Sequence, residues 1–137
     1  HSVYAKKYSN AWDYPQVAMM ALKEMLNQVG KLQLDSYGVA YRGLLLRLLV
    51  LPHGLSGTND VLRLIADEIG TDIHLSLMAQ YYPAGSAHTY KELARGLTEQ
   101  EYITTLNTAL ELGFHNVFQQ ELSCSSEWTP DFVQDFA

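Results

Sequence analysis

The stretch Arg42-Gly43-Leu44-Leu45-Leu46-Arg47-Leu48-Leu49-Val50-Leu51-Pro52 decides the fold. It is an apolar run about one strand long, carrying one guanidinium in its middle and ended by a proline. Apolar side chains at both odd and even positions suit a parallel strand covered on both faces, by helices or by a barrel lumen. An arginine is costly to bury alone, so this reading requires a partner for Arg47.

Downstream, residues 52–57 read as a loop, and Thr58 caps a helix with Val61, Leu62, Leu64, Ile65 and Ile69 inward, closed by Gly70. A second strand is expected over 73–80, with Ile73, Leu75, Leu77 and Ala79 on one face and His74, Ser76, Met78 and Gln80 on the other. Tyr82-Pro83-Ala84-Gly85-Ser86 breaks it, and a polar connection with one helical turn near residues 90–95 follows. Thr98 and Glu101 have capping-box spacing and start a helix through Leu112, with Gly113 as its stop. Residues 116–120 read as a third short strand. The apolar Trp128, Phe132 and Phe136 suggest that part of the tail packs.

Upstream, Asp13 and Pro15 open a helix with an apolar stripe of Val17, Ala21, Leu22, Met25, Leu26 and Val29, and Gly30 ends it. Residues 31–35 and 39–41 form a short hairpin around Ser36-Tyr37-Gly38. Strand, helix, strand, helix, strand implies an α/β domain of right-handed parallel βαβ units, over residues 1–137, with strands near 44–51, 73–80 and 116–120. Three such strands are an incomplete object. Either a partner chain covers the open edge, or the chain is part of a larger barrel.

The 137 residues carry a net charge of −6 and a pI near 5.2. No basic stripe is present to displace counterions from a phosphate backbone, so nucleic-acid binding is not expected. No apolar segment reaches the roughly 18 residues needed to span a bilayer, so no membrane partner is expected, and no cleavable signal pattern is seen. The single cysteine, Cys124, cannot form an intrachain disulfide, which fits a reducing cytoplasm. Nor can it build a zinc or iron–sulfur site alone.

Among residues able to carry chemistry, Arg47 suits a carboxylate or phosphate. It equally suits a snorkelling or ion-paired strand arginine. The set His74, Ser76, Met78 and Gln80 is either a ligand-facing strand face or a solvated one, and Gln80 and Tyr81 fall at the strand's C-terminal end, where ligands bind in α/β sheets. The loop from Pro52 to Thr58 leads into a helix N-terminus without a phosphate-loop spacing, and a plain turn is the simpler reading. His53 has no orienting partner visible in the sequence, and Glu24, Asp67 and Glu68 read as a solvated helical face. No carboxylate pair or nucleophile–base pair stands out.

Several segments together resemble the C-terminal half of radical S-adenosylmethionine proteins related to pyruvate formate-lyase activating enzyme. They are Ala5-Lys6-Lys7-Tyr8-Ser9-Asn10-Ala11-Trp12-Asp13-Tyr14, the opening stretch followed by Leu55-Ser56-Gly57-Thr58, and Met78-Ala79-Gln80-Tyr81-Tyr82-Pro83. His115-Asn116-Val117-Phe118-Gln119-Gln120-Glu121-Leu122 and Pro130-Asp131-Phe132 fit the same group. The resemblance implies the C-terminal half of a partial (β/α) TIM-like barrel binding a [4Fe–4S] cluster and S-adenosylmethionine. Such proteins cleave the cofactor reductively, and the adenosyl radical takes a hydrogen atom, here from a glycine of a partner enzyme. By position, Arg47 would hold the cofactor's methionine carboxylate or ribose region. Leu49 and Met78 would flank the adenine, and Gln80 or Tyr81 would close the site.

This sequence departs from that pattern. The cluster-binding cysteine triplet, the Gly-Gly-Glu segment and the aspartate-lysine strand motif would all precede residue 1. Leu48 stands where the family commonly has histidine. The expectation is therefore a C-terminal portion of a cytoplasmic activase-like parent. The parent would act on a glycyl-radical-type target protein with a reductant, while this portion would be inactive alone and bind neither iron nor cofactor. It would also self-associate as a homo-oligomer through its open strand edge. The alternative is a free-standing α/β interaction or ligand-binding module without radical chemistry.

Overall fold

A computed structural model of the chain describes residues 13–122. The first helix, α1, spans Tyr14–Val29 with Pro15 in its first turn, and Gly30 ends it at a positive φ of 76° with its N–H on the Leu26 carbonyl. A two-stranded antiparallel hairpin follows, β1 (Gln33–Leu34) with β2 (Ala40–Arg42). Its turn is held by the Asp35 carboxylate, which accepts the N–H groups of Tyr37 at 2.9 Å and Val39 at 2.8 Å.

The parallel sheet comprises β3 (Leu45–Leu49), β4 (His74–Met78) and β5 (Val117–Phe118), in that spatial order. Helix α2 (Thr58–Glu68) connects β3 to β4, and α3 (Glu99–Glu111) connects β4 to β5. The expected parallel βαβ units are present, although each strand is shorter at its ends than the apolar pattern suggested. With sequential strand order, the right-handed rule for parallel crossovers puts both helices on one face of the sheet, and their buried residues share one core. That face is the core: Leu75 and Leu77 of β4 pack with Leu62 and Ile65 of α2, Ala109 of α3, and Phe114. Among the described residues the sheet has three strands and does not close into a barrel.

Four expectations need correction. The opening strand is not covered on both faces: Leu44, Leu46 and Leu48 pack toward the core, whereas Leu45 and Leu49 stay more than a third exposed. No layer lies over that second face among the described residues. Thr58 does not cap α2; Gly57 does so in a left-handed conformation, and the buried Thr58 hydroxyl instead meets Ser56 Oγ at 2.5 Å. Residues 90–95 form turns, and the helical piece of that connection is a 3-10 turn at Gly85–Thr89. The stripe of α1 seats only Leu22 fully, while Val17, Met25 and Val29 are exposed. The described sheet ends at β3, so no further strand lies beneath the rest of α1. The tail residues Trp128, Phe132 and Phe136, with Cys124, lie outside the described residues.

The capping box is formed as expected, with Thr98 Oγ1 and Glu101 exchanging bonds around the first turn of α3. Buried Tyr102 of α3 donates its hydroxyl to the Leu77 carbonyl at 3.0 Å and accepts the Gln120 N–H at 2.9 Å. Gly43 opens the decisive stretch at φ 103°, and a Cβ there would overlap the Lys31 carbonyl. This close approach lets Leu44 N–H reach the Gly30 carbonyl at 3.0 Å and seats β3 beside Lys31. Gly43→Ala combines backbone strain with a main-chain collision, and is expected to cost about 2–4 kcal/mol in urea unfolding. A variant within 0.5 kcal/mol of the parent, a margin typical of neutral surface changes, would refute the close approach.

Candidate functional site on the open sheet face and its rim

Parallel partners in register project to the same side of a sheet. Leu45 pairs with His74, Arg47 with Ser76, and Leu49 with Met78, while Ser76 pairs onward with Phe118. The face turned away from the helices therefore carries Leu45, Arg47, Leu49, His74, Ser76, Met78 and Phe118. Among the described residues none of the paired positions on this face is a carboxylate. The sequence-derived residues Arg47, Leu49 and Met78 are thus brought together on one surface, two of them as a cross-strand pair.

Arg47 is exposed, and no acidic partner faces it among the described residues. In contrast, Arg63 pairs with Asp60 and Arg95 with Glu101. Of the two readings the sequence left open for Arg47, its exposure matches the solvent-facing one. Beside it, the His74 and Phe118 rings stack with centroids 5.9 Å apart and planes 28° from parallel. His74 Nδ1 is buried without a hydrogen-bond partner among the described residues.

Gln80 and Tyr81 lie just past the end of β4, half-buried. The Tyr81 hydroxyl donates to the Leu93 carbonyl at 2.8 Å, and burial raises its pKa above the usual phenol value. Tyr81 thus ties down the connection that leaves β4.

The rim at the C-terminal ends of the strands holds a cluster that the sequence did not disclose. Glu101 accepts a bidentate pair of bonds from Arg95, at 2.7 and 2.8 Å, and the His53 N–H at 2.8 Å. It also accepts the Thr98 N–H at 3.0 Å and the Thr98 hydroxyl at 2.9 Å. One carboxylate therefore joins the loop after β3, the connection after β4 and the start of α3. The Arg95 hydrogen bonds hold the Glu101 carboxyl far below the ordinary carboxylate range, and the bonds from Thr98 and His53 add to this against the opposing effect of burial. His53, the sole non-glycine residue with positive φ among those described, sits at φ 57° within this cluster. Its Nδ1 lies 3.3 Å from the Arg95 guanidinium. Capping-box spacing was the one sequence signal for Glu101; Arg95 is 42 residues from His53 and gave none.

Two clefts of about 130 and 180 Å³ lie between the loop after β3 and α3, both touching Val50, Gly54, Asn59 and Thr105. Such volumes hold a few waters, well below the roughly 300 Å³ where cofactor pockets begin. No group of three or more metal-ligating side chains occurs among the described residues. The one cysteine of the sequence does not match the several thiolates a [4Fe–4S] cluster requires. No described helix is long and apolar enough to cross a membrane. No protein-family model, curated protein or solved structure matches this chain.

Glu101→Gln keeps the shape of the side chain but removes the charge that Arg95 and two backbone donors share. It is expected to lower stability at neutral pH by about 2 kcal/mol. Because the folded-state pKa of Glu101 is depressed, its contribution is fully present above the unfolded value near 4.5 and is lost as pH falls below it. Urea unfolding from pH 7 to pH 3 should therefore show a shallower acid-side decline in the Gln variant. Parallel curves would mean that Glu101 does not carry the linkage.

Proposed function

We propose that this chain is the C-terminal wall of the cofactor site in a radical S-adenosylmethionine protein of the glycyl-radical-enzyme-activating type. The observation that carries the reading is the surface of Arg47, Leu49 and Met78. Among the described residues it has a guanidinium without an ion-pair partner beside an apolar cross-strand pair, with no carboxylate in the paired strands. A guanidinium so placed favours an anionic group such as an amino-acid carboxylate, and the apolar pair offers contact to a planar ring. The described connecting helices α2 and α3 pack on the opposite side, as the wall of a half-barrel would require.

In the parent, S-adenosylmethionine and a cluster would supply reductive sulfonium cleavage. The cluster would be held by cysteines outside this sequence, since the donors here do not fit it. The residues of this chain bind and orient: Arg47 neutralises a carboxylate, and Leu49 and Met78 exclude water beside it. Gln80 offers an amide at the strand end, and Tyr81 fixes the following connection through Leu93. A target protein bearing a glycine and a cytoplasmic reductant would complete the system. The isolated chain would self-associate through its open strand edge.

Calorimetric titration of S-adenosylmethionine into the iron-loaded full-length parent tests this. Arg47→Ala should weaken binding by about 10–100-fold, the loss of a charge-assisted hydrogen-bonded contact. Unchanged affinity, or a parent without clustered cysteines upstream, would overturn the proposal.

A further inference from the structure

The sheet face opposite the helices has three unmet requirements. Leu45, Leu49 and Phe118 are each more than a third exposed there, and Met78 is the cross-strand partner of Leu49. Apolar side chains left exposed together on one surface mark an interaction site. Arg47 stands among them without an ion-pair partner among the described residues, and no carboxylate occupies the paired positions. Beside it, His74 Nδ1 is buried with no hydrogen-bond partner among the described residues, and a buried polar atom requires one from a covering segment.

The sequence after Leu122 supplies the complement of that face. Residues 123–137 lie outside the described residues, but their pattern is regular. Trp128, Phe132 and Phe136 recur at every fourth position, each preceded by an acid, Glu127, Asp131 and Asp135. Neither lysine, arginine nor histidine occurs there, so three carboxylates without a cation contribute −3 of the net −6. Thr129-Pro130 has the cap-then-proline order of a helix start. Spacing of four then puts the aromatic rings in one row of a helix and the aspartates in the row beside it.

The starting point of this segment decides which surface it can reach. Leu122 packs against the core, while Gln120 receives the Ala79 N–H and donates its own to Tyr102. The chain thus leaves the sheet at the C-terminal end of β5, whose Phe118 faces the open side. Arg47 lies two strand spacings away, about 10 Å, and residues 123–127 can span about 16 Å. A helix over residues 128–136 would run about 13 Å, close to the length of the five-residue strands β3 and β4. Tethering holds the segment near the face at an effective concentration on the order of millimolar, well above a second copy in dilute solution. We propose that residues 128–136 of this chain dock on the open sheet face, with Phe132 and Phe136 over Leu45, Leu49 and Met78 and with Asp131 and Asp135 beside Arg47. The docked segment occupies the guanidinium that a ligand's carboxylate would use, so a ligand of this face must displace it.

The test uses the 137-residue chain with ¹³C-methyl methionine and a nitroxide at position 137, attached in a Cys124→Ser, Ala137→Cys background. Of the four methionines only Met78 lies on the open face; Met19, Met20 and Met25 are on α1, which Lys23 ties to Glu68 of α2. The Met78 methyl signal should lose most of its intensity to the nitroxide, while Met20 keeps its own. Arg47→Glu, at an exposed position, should restore the Met78 signal, and adding Asp131→Lys and Asp135→Lys to that chain should quench it again. Nitroxide chains mixed with ¹³C chains that carry no nitroxide should show no quenching. An unaffected Met78 signal, quenching insensitive to Arg47→Glu, or no return of quenching in the charge-swapped chain would each overturn the proposal. So would quenching between chains in the mixture, which would make the occupant a second copy. Normal cofactor binding by Arg47→Ala in the full-length parent would remove the activase reading and leave these results standing.

Discussion

The handedness of two crossovers determines the rest of this structure. Because β3, β4 and β5 are adjacent in chain order, the right-handed rule for parallel connections puts α2 and α3 on the same face, where their buried residues share one core. In a doubly wound sheet the strand order reverses, and helices cover both sides. Here it does not reverse, so one face is core and the other is left to whatever ligand, chain or solvent meets it. The exposure of Leu45, Arg47 and Leu49 follows from this arrangement, although their sequence reads as buried.

The same constraint explains what the sequence did and did not reveal. Element types were legible: apolar periodicity marked α2 and α3, the Thr98–Glu101 spacing marked a capping box, and the alternation of His74 to Met78 marked a half-buried strand. The alternation of β4 in fact stated the correct answer, polar on one side and apolar on the other. The β3 run concealed it, because leucine on an open face looks the same as leucine in a core. Periodicity cannot distinguish a strand covered twice from one whose second cover lies elsewhere.

The rim cluster was illegible for a different reason. Glu101 was read as a helix cap and Arg95 as part of a polar connection, and both readings are locally sound. Their joint action on His53 depends on two loops, 42 and 48 residues distant in sequence, meeting at the end of the sheet. Exposed ion pairs such as Lys23–Glu68 and Lys31–Asp72 add little by comparison, since water screens them and their side chains gain order at entropic cost. Glu101 differs in collecting five donors from three segments on one partly buried carboxylate.

Tyr102 gives the third strand an unusual dependence. β5 has two residues in its ladder, fewer than a strand needs to hold its own alignment. The phenol of Tyr102 has a single proton, which goes to the Leu77 carbonyl, leaving its oxygen to receive the Gln120 N–H. A helix side chain thus serves as an extra rung between two strands. Any sliding of α3 along its axis would carry the end of β5 with it, so the far edge of the sheet is mechanically geared to the helix that begins at Glu101's rim.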